Sequence, residues 1–552
     1  MGYPGADRGG RSTGLTGIAW ITTVDAQVRA RADDPRPALV AEGRTWSWAE
    51  HTAEAAARAA WYAEDRAARG ATGPAHIGVL LENVPAYSFW LAAAALGRFV
   101  LVGLNSTRCG DDLAADVRAT ACDLVLTDDV ETFDGLDLGG ARIITDGDYA
   151  PAALPDGEAA TDDLYLLIFT SGTTGTPKAV RCSQGKIATY ALGMVMRTEL
   201  SAEDVAYVSM PLFHSNAVIA GWAPSQAVGA TVALRRRFSA SQFLPDVRRV
   251  GATYANYVGT PLSYVLAQPQ RPDDADNPLR LVFGNEGAPA DLSRFATRFG
   301  CRVVDGFGST EGGISVTRTP ETPAASLGLP VGDVRVLNPE TGAECPAATL
   351  DDAGRLLNPE AVGELVNLDG AGGFEGYWDS PEESAHRLRD GRYWSGDLGY
   401  RTEEGFLWFA GRSLDRLRVG GENFPAAPVV RVLGRHPHVV EVVVYAVPDP
   451  VAGDQVMAAV VPGEGFDPRD LARWAADQPD CSAAWVPRFV RVVPDPPRTA
   501  TGKILVRELA AARWDGTGVW TRDGRDLTLR PFTADDAGTL ESAFASSGRL
   551  LH

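Results

Sequence analysis

The chain has 552 residues, 45% of them hydrophobic and 22% charged, and a formal net charge of −20. That length exceeds what one hydrophobic core usually organises, so at least two domains with a cleft between them are expected. A pI near 4.9 argues against nucleic acid or an anionic membrane surface as a partner, so any anionic ligand must find local positive charge.

In chain order, the start MGYPGADRGGRSTG has no basic flank leading into an apolar run and no Ser/Thr for a myristoylation signal, because residue 6 is Ala; it reads as a loose tail. SWAEHTAEAAARAAWYAE reads as an amphipathic helix. FWLAAAALGRFVLVGL, from Phe89, is broken by Arg98 and two glycines, so it predicts helix, turn and buried strand, with no membrane span. From about residue 160, apolar runs alternate with helical segments: LYLLIF then GKIATYALGMVMR, ATVAL then SASQFLPDVRRV, LRLVFG then DLSRFATRF. That rhythm predicts an α/β fold with parallel sheets covered by helices. Around 320 to 410 the short Gly/Pro-rich segments suggest a small antiparallel element. A compact unit follows Arg412, with strands in VVEVVVYAV and QVMAAVV and a helix in PRDLARWAAD. The acidic, polar stretch 516–552 shows no periodicity. These textures divide the chain into 1–410, 411–515 and 516–552. Six cysteines without paired spacing fit reduced thiols in a cytoplasmic protein and suggest neither zinc nor disulfides.

The stretch IFTSGTTGTPKAV, residues 168–180, carries the first chemical signal. Thr170, Ser171, Gly172, Thr173, Thr174 and Gly175 offer hydroxyls and close-approaching amides of the kind that surround phosphate oxygens. Lys178 adds a point charge. This is not the P-loop, which needs Gly-Lys-Ser/Thr opening a helix; here Pro177 precedes the lysine and Ala179 follows it. A polar surface hairpin is the competing reading.

YLLIFTSGTTGTPKAV resembles the phosphate-loop signature of the adenylate-forming superfamily, which includes acyl-CoA synthetases. PLFHSNA (211–217), DGFGSTEGG (305–313), YWSGDLGY (393–400), GRSLDRLRVGGENF (411–424) and PRTATGK (497–503) resemble further motifs in the superfamily's order. GNEGAP (284–289), RFSASQFLPDVRRVGATYANYVG, the GGEN element and WTRDGRDLTLRPFT resemble the fatty acid transport protein and very-long-chain acyl-CoA synthetase branch. The resemblance implies a large N-terminal domain of stacked, helix-covered, mostly parallel sheets with a small barrel-like element, and a small mobile α+β C-terminal domain. It also implies a reaction: a carboxylate attacks the α-phosphate of ATP, pyrophosphate leaves, and the acyl group passes to coenzyme A. Two anions must meet, so a metal and preplaced cations are required.

By the same resemblance, Thr170 to Gly175 and Lys178 hold the β- and γ-phosphates. Glu311 is the Mg²⁺ ligand, since Mg²⁺ is commonly bound by one or two carboxylates plus phosphate oxygens, and Thr310 donates to the α-phosphate. Phe307, in the run Asp305, Gly306, Phe307, Gly308, Ser309, stacks on adenine, with the backbone of Asn285, Glu286 and Gly287 on the other side of the base. Asp397 accepts the ribose hydroxyls, and Arg412 reaches ribose and phosphate. Lys503 bridges the carboxylate and α-phosphate when the small domain closes. Gly420 and Gly421 line the pantetheine tunnel. His214 lies near the acyl carboxylate, with a core histidine as the competing reading. Some short-acid relatives carry a bulky aromatic at the position of Gly308; the glycine leaves room for a large acid.

Departures from the pattern are Leu414 at the hinge position, and Pro428 and Val430 where relatives carry acidic residues. The transport-protein branch commonly has an N-terminal membrane segment, so its absence here points to a soluble ligase. The expected partners are a small carboxylic or other oxyacid and coenzyme A, with no nucleic acid and no membrane span; the sequence leaves a homodimer open. The altered PAAPVV segment motivates an alternative: an adenylating enzyme of specialised metabolism acting without coenzyme A on an aryl acid, or on nitrite for diazotisation of an amine. A third reading is a catalytically silent binding protein.

Overall fold

The computed structural model describes residues 21–547 apart from 171–176, 259–260, 286, 288, 320, 324–325, 352–355, 413–415, 420–421, 451–453, 479–480, 499–503 and 525. The chain forms two compact units, one of Met1–Gly306 with Glu375–Pro381, the other of Phe307–Phe374 with Glu382–His552.

The first unit holds two mostly parallel sheets. Six strands run in the order Arg142–Ile144, Leu124–Thr127, His76–Leu80, Val100–Gly103, Leu164–Thr170, Lys178–Ser183, parallel except for the last pair. Val100–Gly103 and Leu124–Thr127 are buried at every residue, as expected of strands covered on both faces. The seven-stranded sheet runs Arg302–Gly306, Leu281–Asn285, Tyr254–Val258, Val205–Val208, Thr231–Leu234, Pro37–Ala41, Arg44–Ser47, with only the last pair antiparallel.

Local signals explain the helices. Ser47 and Glu50 form a reciprocal capping box that starts Trp48–Arg69, and Gly70 ends it in the left-handed region; each satisfies orphaned backbone groups. The apolar run from Phe89 is, as read, the buried helix Pro85–Gly97, a turn at Arg98 and the strand Val100–Gly103. No helix among the described residues is long and apolar enough to cross a membrane.

The second unit contains an antiparallel sheet of five strands, Val334–Leu337, Gly363–Asn367, Arg392–Arg401, Leu388–Arg389 and Leu407–Arg412, where the Gly/Pro-rich texture had suggested one. A second five-stranded sheet runs Val439–Pro448, Asp454–Pro462, Phe489–Val492, Val519–Thr521, Arg530–Pro531. Its last two strands, and the helix Ala534–Ser547, come from the stretch read as lacking periodicity. Phe544 is 2% exposed, with its ring 6.3 Å from that of Trp514. Strands of two and three residues are too short for alternation to register in a sequence.

Candidate active site

In the first unit, Thr170 and Lys178 face each other across the antiparallel pair Leu164–Thr170 and Lys178–Ser183. The hydroxyl-rich segment therefore connects two paired strand ends. Lys178 is 7% exposed, unusual for a lysine, and its Nζ lies 5.6 Å from the centre of the Tyr377 ring. Tyr377 arrives on a strap that lies along the outer edge of Lys178–Ser183. Arg181 N donates to Gly376 O at 3.1 Å and Trp378 N to Ala179 O at 2.8 Å; Ser183 N and Oγ both donate to Glu375, at 2.7 and 2.6 Å. Ser183 also caps the helix Gln184–Thr198. Ser171 to Gly175 lie outside the described residues.

The residues expected on the base side gather where Tyr254–Val258, Leu281–Asn285 and Arg302–Gly306 end together. The C-terminal edge of a parallel sheet is where such folds bind ligands. Asn285 Nδ2 donates to Gly306 O at 3.0 Å. Asp305 Oδ2 accepts from Gly287 N at 2.8 Å and from Tyr257 Oη at 2.6 Å. The histidine segment joins this group, because Asn216 Nδ2 donates to Tyr257 O at 3.1 Å and to Asn285 Oδ1 at 3.4 Å. Asn216 Oδ1 in turn accepts from Asn256 Nδ2 at 2.6 Å. Tyr257, Asn216 and Tyr377 were not picked out from the sequence. Asn216 sits inside the PLFHSNA motif, which was signal enough to find it; the two tyrosines carry no local mark. Glu286 lies outside the described residues.

His214 precedes the short helix Ser215–Ala217 and a single π turn, Val218–Trp222, an irregularity frequent at functional sites. Its ring lies 4.5 Å from that of Phe213, and its Nε2 is buried without a hydrogen-bond partner among the described residues. Burial pushes its pKa down to about 4. A neutral imidazole can orient an acid by a hydrogen bond but supplies no charge to it. The π turn is anchored from below: Trp222 Nε1 donates to Ser88 Oγ at 2.8 Å, and the same oxygen is 2.8 Å from His51 Nε2.

In the second unit, Phe307 and Gly308 lead into a turn over Ser309, Thr310, Glu311 and Gly312. Gly312 N closes it on Ser309 O at 3.1 Å, and Asn367 Nδ2 holds Gly313 O at 2.9 Å. Thr310 and Glu311 are 9% and 8% exposed. The described residues contain no cluster of three or more metal-ligating side chains. One buried carboxylate suits a Mg²⁺ whose remaining ligands are nucleotide oxygens, so the donor set fits the expected ion. The Phe307 ring centre is 6.2 Å from that of Phe409, while at Gly308 an added Cβ would meet nothing within 4 Å. Asp397 is 9% exposed, with its N–H on Ser395 Oγ at 3.0 Å, and stands opposite Arg412 in the strand register. Gly420, Gly421 and Lys503 lie outside the described residues.

Comparison with known proteins identifies the family. The AMP-binding enzyme family matches residues 25–378, and the AMP-binding enzyme C-terminal domain matches residues 431–503. A medium/long-chain-fatty-acid–CoA ligase of Mycobacterium marinum is 51% identical, over 86% of this chain and 93% of its own. A steroid-22-oyl-CoA synthetase of Rhodococcus jostii is 45% identical, over 96% of this chain and 99% of its own. Among solved structures, ATP-bound MatB from Rhodopseudomonas palustris overlays with a TM-score of 0.77 at 23% identity, covering 90% of this chain and 99% of that one. None of these relatives supports the nitrite or diazotisation alternative. The chain belongs to the AMP-binding enzyme family, as an AMP-forming acyl-CoA synthetase.

Proposed function

We propose that the acid is a medium-chain, long-chain or otherwise bulky carboxylic acid, and that coenzyme A is the acceptor. The observation that carries this reading is the near full-length similarity to ligases named for medium- and long-chain fatty acids and for a steroid side-chain acid. The open space at Gly308 supports it, since no side chain there narrows a path for a large acyl group.

In this reading Thr170 to Gly175 and Lys178 hold the β- and γ-phosphates, and Thr310 binds the α-phosphate. Glu311 would hold Mg²⁺, which neutralises phosphate charge as pyrophosphate leaves. Asn285 to Gly287 and Asp305 to Ser309 form the base site, and Asp397 and Arg412 take the ribose. Neutral His214 orients the acid. Lys503 bridges carboxylate and α-phosphate, and Gly420 and Gly421 border the pantetheine arm. We assign residues 1–410 to adenylation, 411–515 to a unit that moves between the two half-reactions, and 516–552 to an extension completing its sheet. The protein acts in the cytoplasm.

The test is a panel of acids, from short to steroidal and including nitrite with an amine, scored for pyrophosphate release with and without coenzyme A. Expected are release with bulky acids and thioester only when coenzyme A is present. Release confined to short or aryl acids, or to nitrite, overturns the assignment.

A further inference from the structure

Three neighbouring parallel strands place Tyr257, Gly284 and Asp305 in one cross-strand row. Side chains in such a row stand on the same face, so anything larger than hydrogen on the middle strand would separate the outer two. A Cβ at Gly284 would lie 2.4 Å from Cδ1 and 2.5 Å from Cε1 of Tyr257; the phenol ring occupies that space and lies across the middle strand. Its hydroxyl thereby reaches Asp305 two strands away, donating to Oδ2 at 2.6 Å. The same oxygen accepts from Gly287 N at 2.8 Å. Gly287 is held so closely that a Cβ there would sit 2.9 Å from Asp305 Oδ2 and 3.0 Å from Tyr257 Oη. Burial, with the neighbouring carboxylate, raises the phenol pKa, so the hydroxyl stays a donor.

We propose that Tyr257 is a positioning residue for the nucleotide base. By fixing Asp305, and through it the backbone at Gly287, it sets the height of the wall on which adenine rests. The proposal depends on the reading of Asn285 to Gly287 and Asp305 as the base site. The residues divide the labour: Gly284 provides the crossing, Tyr257 the strut, Asp305 the joint, Gly287 the contact surface. Tyr257 is 2% exposed and its hydroxyl is spent on Asp305, so its removal should be felt by the base and not by the triphosphate.

The experiment measures ATP, GTP and pyrophosphate binding by calorimetry, without acid, for the wild-type protein, Y257F, D305A and the double variant. Y257F should bind ATP about three- to tenfold more weakly, the net worth of one ordinary hydrogen bond. Its pyrophosphate affinity should not change, its preference for ATP over GTP should narrow, and the double variant should be no worse than D305A. Should Y257F fail to fold, D305N must give the same base-selective loss. Unchanged ATP affinity in Y257F, or an equal loss for pyrophosphate, overturns the proposal. If the wild-type protein binds no ATP, the base-site reading falls and takes this proposal with it; wild-type binding with an unaltered Y257F removes the proposal alone.

Discussion

The first unit builds the two sheet edges that carry its candidate site residues in opposite ways. In the six-stranded sheet the edge is one antiparallel hairpin, Leu164–Thr170 and Lys178–Ser183, and its chemistry lies within a dozen consecutive residues. In the seven-stranded sheet the edge is assembled from three strands and the histidine segment, tied by Tyr257, Asp305, Asn216 and Asn285. A hairpin places its groups by local geometry. An assembled wall places them by side-chain hydrogen bonds that span strands, so it has more points of failure, each with a smaller effect.

The difference can be broken at its strongest point first. Lys178→Ala removes the buried cation of the hairpin and should lower kcat/KM for ATP by about 10² to 10³, as loss of a preorganised charge usually does; steady-state pyrophosphate release with a competent acid reads it. An effect under fivefold would mean the hairpin does not carry the phosphates. Gly284→Ala attacks the wall where it is tightest, because the new Cβ would lie 2.3 Å from Tyr257 O. It should cost about 1 to 3 kcal/mol of stability by overpacking, read by denaturant unfolding, with ATP affinity falling as well.

The third variation is pH. His51 is 1% exposed and held neutral, its pKa pushed down to about 3 by burial and, secondarily, by the charge of Arg58. In the unfolded chain the imidazole recovers a pKa near 6.5, so below that pH the unfolded state binds the extra proton. Stability is fully present above pH 6.5 and is lost as pH falls toward 3, by about 2 kcal/mol between pH 6.5 and 5 from this residue alone. His51→Gln should flatten the unfolding free energy over that interval. An unchanged slope would show that the support beneath Trp222 is not set by this histidine. Smallest of all, Tyr377→Leu should raise KM for ATP about two- to fivefold while Tyr377→Phe does not, if the ring face steadies Lys178 as cation–π contacts do. Equal behaviour of the two variants would deny that role.

This contrast also explains what could be read in advance. The hairpin, the run Phe307 to Glu311 and the strand carrying Asp397 were legible because each packs its chemistry into adjacent residues. The parallel sheets were legible because strands buried on both faces stay apolar without interruption, as in Val100–Gly103. Tyr257 was not, because ATYANYV reads as core strand until Gly284 and Asp305 are known to share its row. Glu375 and Tyr377 were hidden for the same reason: nearly two hundred residues separate them from the strand they cover. The closing strands Val519–Thr521 and Arg530–Pro531 escaped because a pair or triplet of residues carries no period.

The strap Glu375–Pro381 bears on how the protein can be dissected. Its backbone occupies the outer hydrogen-bonding edge of Lys178–Ser183, and bare edges invite pairing with other chains. A fragment stopped at Gly306 would therefore carry the hairpin with one flank uncovered and would be prone to self-association during expression, whereas one extended through Pro381 keeps its own sealing strip.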